Sequence, residues 1–292
     1  FVSRGLGDVY KRQIFFFKSN PFSRKNYPMI VFGGYVSLIS FFYFKGPVFL
    51  QEQNTIPGSV SKLLFSTNKV SKIFCGFEKT KIFFEEFNKK YIKLINTGNP
   101  VGKIKKSIDK SSNLSGFNIL VMGGSQGSKF LNEFTPNVLS GVKNKISIKI
   151  KHQCGRNNFF NVENAYSPLD DDIFITEFIK DIDEAYQWAD LVISRSGALT
   201  VSEIIASRSA AILVPIKISI DDHQKENANF LASNKAAWIL EETDYFSEEL
   251  KKLLELILEN EESILEKKEN IAQIEVRDSE TIIFNEVNAW YQ

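Results

Sequence analysis

The sequence contains little cysteine and histidine, and this shortage excludes several kinds of site. Cys75 and Cys154 lie far apart, so they form neither a CxxC pair nor a disulfide framework, and they fit a reducing cytoplasm. The two histidines, His152 and His223, have no metal-ligand spacing with each other or with the cysteines. We therefore expect no dedicated metal site.

Other familiar signals are missing as well. We find no internal repeat, no low-complexity tract and no recognisable signal peptide. The apolar stretch 30–50 is long enough to raise the question of a membrane span, but Gly33, Gly34, Gly46 and Pro47 interrupt it. We predict a strand, a loop, a short helix and a second strand there instead.

Acidic residues are scarce in the first part of the chain. Residues 1–116 carry 19 Lys and Arg against 6 Asp and Glu, whereas residues 117–292 carry 17 against 29. A basic, aromatic-rich first part suits nucleic acid, an anionic membrane surface or a phosphorylated substrate. Lysines on solvated faces are the alternative interpretation.

From residue 118 onward, short apolar strands alternate with amphipathic helices. Such strands, joined by helix-length crossovers, predict a parallel sheet covered on both faces. A weaker version of the same alternation occupies residues 28–100. We predict an α/β protein with two Rossmann-like domains, of which the first is incomplete. The predicted segments are a sequencing artefact at 1–13, a first-domain remnant at 14–101, a linker at 102–116, a second domain at 117–272 and a helical tail at 273–292.

Two glycine-bearing turns follow strands of the second domain. In "VMGGSQGSKF", Gly123 and Gly124 permit close approach of a ligand, and Ser125 is predicted to be a helix N-cap. The free N–H groups at such a helix start favour a phosphate. A merely tight structural turn is the alternative.

The second turn, "SRSGALTVSE" at 194–203, is predicted to lie on the same sheet edge. Ser196 and Gly197 end a strand, and Thr200 and Ser202 add hydroxyl groups at the helix start. Glu203 is placed to accept hydrogen bonds from both hydroxyls of a ribose. The alternative is a capping box formed by Thr200 and Glu203. Two such turns on one edge suit a nucleotide diphosphate.

A third turn and one strand end supply further candidates. In "IDDHQKENA", Gln224 and Asn227 begin a helix and are candidates to reach sugar hydroxyls or phosphates, whereas His223 fits a structural role better. At the strand end "QEQN", Glu52 is a candidate general base and Asn54 a candidate donor. Ordinary surface turns are the alternative for this pair.

Seven motifs follow one another along the chain: "FGGYVS", "LQEQN", "TGNPV", "VMGGSQGS", "TEFIKDID", "SRSGALTVSE" and "DDHQKENA". In this order they resemble the MurG family over about residues 28 to 275. This family comprises the UDP-N-acetylglucosamine–N-acetylmuramyl-(pentapeptide) pyrophosphoryl-undecaprenol N-acetylglucosamine transferases. The resemblance implies a GT-B fold and inverting transfer of GlcNAc from UDP-GlcNAc to the C4 hydroxyl of the muramyl sugar of lipid I. It also implies that no tightly bound cofactor is used.

The resemblance further implies partners and residue roles. Its partners are UDP-GlcNAc, lipid I and an anionic membrane surface, rather than nucleic acid, at the cytoplasmic face of the inner membrane. Ser125 would contact the diphosphate, Ile179 the uracil, Glu203 the ribose and Gln224 the donor sugar. Asn54 would reach across from the acceptor domain, and the start of the second helix would present N–H groups and hydroxyls from Ala198, Leu199, Thr200, Val201 and Ser202.

The sequence departs from the family pattern at three places. It carries no "GGTGGH" loop, Gly102 stands where the family usually has Arg, and "GGYVSLI" replaces "GGYVSGP". We therefore expect donor binding to be kept and transfer by this chain to be impaired. Another UDP-sugar enzyme of the same fold, such as a glycolipid glycosyltransferase or a UDP-GlcNAc 2-epimerase, and a non-catalytic nucleotide-sugar-binding module remain alternatives.

Overall fold

The computed structural model describes residues 28–38, 44, 46–67, 69–87, 92–102, 104, 116–124, 126–144, 147–166, 171–217, 222–260 and 262–290. They form two compact units. The first unit holds the described residues up to 53, together with 57–97 and those from 281 onward, and the second holds 54–56 and 98–280. The predicted artefact at 1–13 and most of the predicted linker lie outside the described residues.

The first unit is built on a four-stranded parallel sheet, in the order β1-β2-β3-β4. Its strands are β1 (Met29–Val31), β2 (Val48–Glu52), β3 (Val70–Cys75) and β4 (Lys93–Asn96), and its helices include α1 (Ser59–Ser66) and α2 (Glu78–Phe87). The alternation of strands and helices predicted for residues 28–100 is confirmed. The core is apolar and includes Leu50, Leu64, Ile73 and Phe84, each fully buried.

The second unit is built on a six-stranded parallel sheet. Its strands are β5 (Phe117–Met122), β6 (Ile148–Gln153), β7 (Ile173–Thr176), β8 (Leu191–Ser194), β9 (Ala210–Leu213) and β10 (Trp238–Ile239). The helices between and after them are α3 (Lys129–Lys143), α4 (Phe159–Ala165), α5 (Ile182–Trp188), α6 (Ala198–Ser207), α7 (His223–Ser233), α8 (Phe246–Glu259) and α9 (Glu262–Ala272). The strand order is β10-β9-β8-β5-β6-β7.

Burial of the central strands explains why this part of the sequence folds as a covered sheet. Every residue of β8 and β9 is buried, as expected of a strand with helices on both faces. Helix α8 contributes a stripe at helical spacing, formed by Phe246, Leu250, Leu254 and Ile257. The predicted doubly covered parallel sheet is therefore confirmed.

The boundaries of the two units differ from the predicted domain boundaries in two places, at residues 54–56 and in the C-terminal tail. The last helix, α10 (Ser279–Asn288), has its larger part in the first unit, where Lys72 and Lys93 lie 2.8 and 2.7 Å from the Glu286 carboxylate. The Trp290 ring meets Phe49 edge-on. The predicted tail 273–292 is thus divided between the units, and residues 54–56 belong to the second one.

Residues 30–50 begin and end as strands, with helical residues at 35–38 between them. The predicted interruption of this apolar stretch is therefore confirmed where it is described. Within the described part of the chain, no helix combines the length and the apolar character needed to cross a bilayer.

Candidate functional site

The candidate site lies where the chain changes direction across the second sheet. From β5 the chain moves outward through β6 and β7, then returns so that β8 pairs with the other side of β5. The loops leaving β5 and β8 therefore diverge from neighbouring strand ends and leave a crevice between them. Ligands of open parallel sheets bind at such a point. The prediction that both glycine-bearing turns share one edge is confirmed.

A cavity of about 690 Å³ occupies this crevice. Its volume is in the range of small-molecule sites. The first turn and the start of α3 form one wall, and the second turn forms another. The remaining described lining comes from Ile216, Gln224 and Glu242.

The first turn is held in shape by close backbone packing. Gly127 has φ +78°, and a Cβ there would collide with the carbonyl oxygen of Cys154. Gly155 has φ +82°, and its Cβ would lie 2.5 Å from Gly127 Cα. The side-chain amide of Gln153 donates to Gly124 O at 2.9 Å. Only glycine fits these two interlocked positions, so the turn after β5 is a fixed backbone shape.

The N-cap of α3 is Ser128, so the prediction that Ser125 caps this helix is wrong. Ser128 Oγ accepts a hydrogen bond from Leu131 N at 3.2 Å, and the helix begins at Lys129. The two serines flank Gln126 and Gly127, and the sequence favoured the earlier one because it directly follows the glycine pair. Ser125 itself lies outside the described residues.

The second turn differs because its helix start has no side-chain cap. Helix α6 begins at Ala198, and its N-cap is Gly197, which cannot supply a capping oxygen. Thr200 is therefore the third residue of the helix, and the alternative of a Thr200–Glu203 capping box is wrong. Val201 N donates to Gly197 O at 2.9 Å, which leaves the N–H groups of residues 198–200 at the open end of the helix.

The residues of this helix start face in different directions. Ala198 and Val201 are buried, Leu199 is exposed, and Thr200 lines the cavity. Ser202 Oγ donates to Ala198 O at 2.9 Å and accepts from Asn99 Nδ2 at 2.9 Å. The backbone at 198–200 and the Thr200 hydroxyl are thus the groups available to a ligand.

Glu203 is partly buried one turn further along α6. Its Oε2 accepts a hydrogen bond from the hydroxyl of Tyr186 at 3.1 Å, and Tyr186 is fully buried. Burial raises the pKa of Glu203 above the ordinary carboxyl value, and the Tyr186 hydrogen bond opposes this rise. Burial and the Glu203 carboxylate together raise the pKa of Tyr186, so this phenol stays a donor. Tyr186 orients the carboxylate and was not singled out from the sequence.

Asn227 has a structural role, and its predicted contact with a ligand is wrong. Its Oδ1 accepts from both the N–H and the hydroxyl of Thr55 at 3.0 Å, and its Nδ2 donates to Asn54 Oδ1 and Ser196 O at 3.2 Å. The side chain is fully buried and both ends of its amide are engaged. Asn227 therefore ties residues 54–56 to the second unit.

Gln224 remains at the cavity wall. Its Oε1 accepts from Ile216 N at 3.2 Å, and its backbone oxygen accepts from the buried Ser196 hydroxyl at 2.7 Å. This arrangement leaves the Nε2 end of the amide to face a ligand. Ile179 is partly buried in the loop after β7, beside the exposed Phe178.

Glu52 lies in the first unit at the end of β2. Its side chain is buried, and Oε2 accepts from Gly58 N at 3.1 Å. Gly33, with φ +70°, lies close enough that a Cβ there would be 3.6 Å from the same oxygen and 2.6 Å from Ser61 Oγ. The structure therefore gives Glu52 a role in holding the loop before α1.

Arg195 is the main residue of the site that sequence reasoning did not single out. Its Nε donates to Ser128 Oγ at 2.8 Å, Nη1 donates to Val214 O at 3.1 Å, and Nη2 pairs with the Glu242 carboxylate. Glu242 Oε2 also accepts from Lys217 N at 2.9 Å. A signal was present, because an arginine directly after a buried strand must find partners at the sheet edge. The distant partner Glu242 left no local pattern.

A buried polar network lies behind the first turn. His152 Nδ1 is 2.9 Å from the Tyr166 hydroxyl, and Nε2 is 3.0 Å from Asn132 Oδ1. Asn132 Nδ2 in turn donates to Cys154 O at 2.8 Å, the carbonyl that faces Gly127. Burial lowers the pKa of His152 to about 3, so the imidazole is neutral at physiological pH.

Comparison with known proteins finds relatives among glycosyltransferases. The model of the glycosyltransferase family 28 C-terminal domain matches residues 118–281, more than half of the chain. The UDP-N-acetylglucosamine--N-acetylmuramyl-(pentapeptide) pyrophosphoryl-undecaprenol N-acetylglucosamine transferase of Shewanella denitrificans is 35% identical over 238 residues, which are 80% of this chain and 63% of that protein. Its counterpart from Shewanella pealeana is 40% identical over 200 residues, 66% of this chain and 52% of that protein. The chain thus spans only part of the length of these relatives.

Solved structures agree with the sheet topology. A crystal structure of Acinetobacter baumannii MurG matches with a TM-score of 0.71 and 27% identity, over 96% of this chain and 76% of that one. A Staphylococcus aureus MnaA–UDP structure matches at 0.70 with 12% identity, over 96% and 80%, and this match bears on the fold alone. The predicted GT-B fold is confirmed. The chain belongs to glycosyltransferase family 28 and, within it, to the MurG family.

Proposed function

We propose that this chain binds UDP-GlcNAc in the cavity of its second unit and belongs to an enzyme that transfers GlcNAc to lipid I, giving lipid II. The observation that carries the proposal is the cavity of about 690 Å³ flanked by a glycine turn and an uncapped helix start. Unpaired N–H groups and the positive end of the helix dipole favour an anion. The names of the Shewanella relatives supply the identity of the sugar and the acceptor.

The donor is proposed to lie across the two turns. The N–H groups of residues 198–200 and the Thr200 hydroxyl bind the diphosphate, together with Ser125. Glu203 accepts from the ribose hydroxyls through Oε1, since Oε2 is engaged by Tyr186. Ile179 lines the uracil site, and the Gln224 amide binds the donor sugar. Asn54, held by Asn227, contributes from the segment 54–56.

The reaction proposed is a single displacement with inversion. The bond from C1 of GlcNAc to the diphosphate oxygen breaks, and its electron pair leaves with UDP. A new bond forms from C1 to the C4 oxygen of the muramyl sugar, and the proton of that hydroxyl passes to a base. The start of α6 stabilises the negative charge that develops on UDP. Glu52 stays the candidate base, although its buried carboxylate already accepts from Gly58.

The acceptor and the membrane are proposed to meet the first unit. Residues 1–116 carry the excess of Lys and Arg. Phe32, in the turn after β1, is exposed, and so are Tyr35 and Val36 in the helical residues that follow. Exposed aromatic and basic side chains together suit a peripheral site on an anionic bilayer. We propose that the chain acts at the cytoplasmic face of the bacterial inner membrane.

Calorimetric titration with UDP-GlcNAc, with UDP-galactose as the comparison ligand, tests donor binding. We expect selective binding of UDP-GlcNAc, weakened about tenfold in Glu203→Gln because hydrogen bonds from ribose hydroxyls to a neutral amide oxygen are weaker than those to a charged carboxylate oxygen. Glu249→Gln, an exposed position on α8, is the matched control. A folded chain that binds neither nucleotide sugar would refute the proposal.

A second assay separates transfer from epimerisation. Incubation of the chain with UDP-GlcNAc and lipid I should release UDP and form lipid II only slowly, since the chain departs from the family pattern in its first unit, whereas UDP-GlcNAc alone should stay unchanged. Conversion of UDP-GlcNAc to its 2-epimer without any acceptor would favour the epimerase alternative. Binding without either reaction would favour the nucleotide-sugar-binding module.

A further inference from the structure

We infer that Arg195 is the positioning residue of the donor cavity, which it shapes by joining the segments that follow four strands, while its own charge is cancelled by Glu242. The inference rests on the proposed function, since it concerns the same cavity. It differs from the obvious alternative, in which an arginine beside a phosphate site binds the phosphate directly.

The contacts of the guanidinium explain the positioning role. Arg195 follows β8, Ser128 caps α3 beyond the first turn, Val214 follows β9, and Glu242 follows β10. One side chain therefore connects the exits of four strands. The guanidinium carbon also lies 5.5 Å from the centre of the Phe130 ring, which covers one face. A planar group with several fixed donors can span such partners, whereas a lysine ammonium cannot.

The charge balance argues against direct binding of a phosphate. The side chains of Arg195 and Glu242 are only 11% and 15% exposed, and they pair with each other. Three of the five N–H donors of Arg195 are engaged by protein groups. Because Glu242 cancels its charge, a diphosphate in the cavity meets little net charge from this pair. Lys129, exposed at the start of α3, is the lining cation that remains open to solvent.

Two variants separate shape from charge. Arg195→Lys keeps the positive charge but loses the contacts to Ser128 and Val214, and Arg195→Gln with Glu242→Gln removes both charges together. We expect each to bind UDP at least tenfold more weakly than the wild-type chain, measured by calorimetry at a temperature where thermal unfolding shows the variant to be folded. The dependence of the UDP dissociation constant on salt concentration should stay unchanged in the double variant, because no net charge is removed.

Glu241→Gln is the matched control. Glu241 neighbours Glu242 in sequence, but it is exposed and pairs with Lys225 on the surface at 3.5 Å. This control should bind UDP within twofold of the wild-type chain. If Arg195→Lys also binds UDP within twofold of wild type, charge alone suffices and the positioning role is wrong. A double variant with a weaker salt dependence would instead identify Arg195 as a direct phosphate ligand.

If the Arg195 variants do not fold, Glu242→Gln decides. A Gln side chain has one acceptor oxygen for the two groups that Glu242 now accepts from, Arg195 and Lys217 N. We expect at least threefold weaker UDP binding, measured at a salt concentration that screens the uncovered Arg195 charge. UDP binding equal to or tighter than that of Glu241→Gln would overturn the inference. A wild-type chain that binds no UDP would refute the proposed function instead, so the two failures are distinguishable.

Discussion

The two turns that flank the cavity are built in opposite ways. The turn after β5 is filled by its own packing, since Gly127 and Gly155 interlock and Ser128 caps α3. The turn after β8 ends in Gly197, which has an ordinary φ of −60° and provides no cap for α6. One turn satisfies its backbone with protein groups, and the other leaves donors for a ligand.

The first turn therefore determines the shape of the cavity, and the second turn supplies hydrogen-bond donors to a ligand. The first turn needs glycine because no Cβ fits, so its residues define the wall of the cavity. The second turn needs a small residue without a competing side-chain oxygen, so that the helix start stays open. A substitution in the first turn should therefore act on folding and binding together, and one in the second turn should act on binding.

The largest effect is expected from Gly127→Ala. The added Cβ meets the Cys154 carbonyl, and φ +78° is unfavourable for alanine. Strain and overpacking together should lower the free energy of unfolding by roughly 2–5 kcal/mol. Urea denaturation measures this loss, and UDP titration of the folded fraction should show weakened binding.

Gly197→Ala provides the comparison in the second turn. A Cβ there would lie 3.8 Å from Thr200 Oγ1, which is ordinary contact. The expected loss of unfolding free energy is below about 1 kcal/mol. If both glycine variants lose the same stability, the distinction between a packed and an open turn is wrong.

Acid is expected to lower the free energy of unfolding by less than Gly127→Ala does, through a group that lies behind the first turn. His152 is buried and neutral with a pKa lowered to about 3, whereas an unfolded histidine titrates near 6.5. The unfolded chain therefore binds a proton that the folded chain does not, between pH 6.5 and 3. Stability contributed by the neutral imidazole is present above pH 6.5 and is lost as pH falls, by roughly 2 kcal/mol between pH 8 and pH 5.

Urea denaturation of wild type, His152→Gln and His223→Gln across this pH range tests the effect. The decrease in the free energy of unfolding between pH 8 and pH 5 should be as large in His223→Gln as in the wild type, and it should be smaller in His152→Gln. Equal pH dependence in all three proteins would show that carboxylates alone set the acid stability. Asn132 links His152 to the Cys154 carbonyl, which faces Gly127. As the pH is lowered, backbone amide hydrogen exchange should therefore increase in the first turn before it increases in the second.

The local sequence pattern predicts most strands and helices of the second unit, but it does not predict the contacts between residues that are distant in sequence. Strands β8 and β9 correspond to short runs of apolar residues, and the stripe on α8 corresponds to apolar residues at helical spacing. Both patterns are visible in the sequence. The start of α3 was misplaced because Ser125 and Ser128 are both good caps, and only packing of the glycine turn selects the second. Periodicity carries no information on that choice.

The candidate site shows the same limit. The glycines and hydroxyls of both turns are neighbours in sequence, so they were found. Arg195 and Glu242 lie 47 positions apart in sequence, and Asn227 reaches Thr55 across 172 positions. Asn227 was misread as a ligand contact because a helix start with two amides is compatible with both roles, and only burial separates them.

A small effect, confined to ligand binding, is expected from Thr200→Val, which keeps the side-chain shape and removes the hydroxyl that faces the cavity. Loss of one hydrogen bond to the diphosphate should weaken UDP-GlcNAc binding roughly three- to tenfold, equivalent to about 0.5–1.5 kcal/mol. The melting temperature should stay nearly unchanged, because the uncapped start of α6 takes no support from this hydroxyl. Thr67→Val in the first unit, where the lost hydroxyl donates to Leu64 O, is the matched control and should leave binding unchanged. Weakened binding in Thr200→Val without loss of stability would assign the second turn to the ligand, whereas lost stability with unchanged binding would make both turns structural.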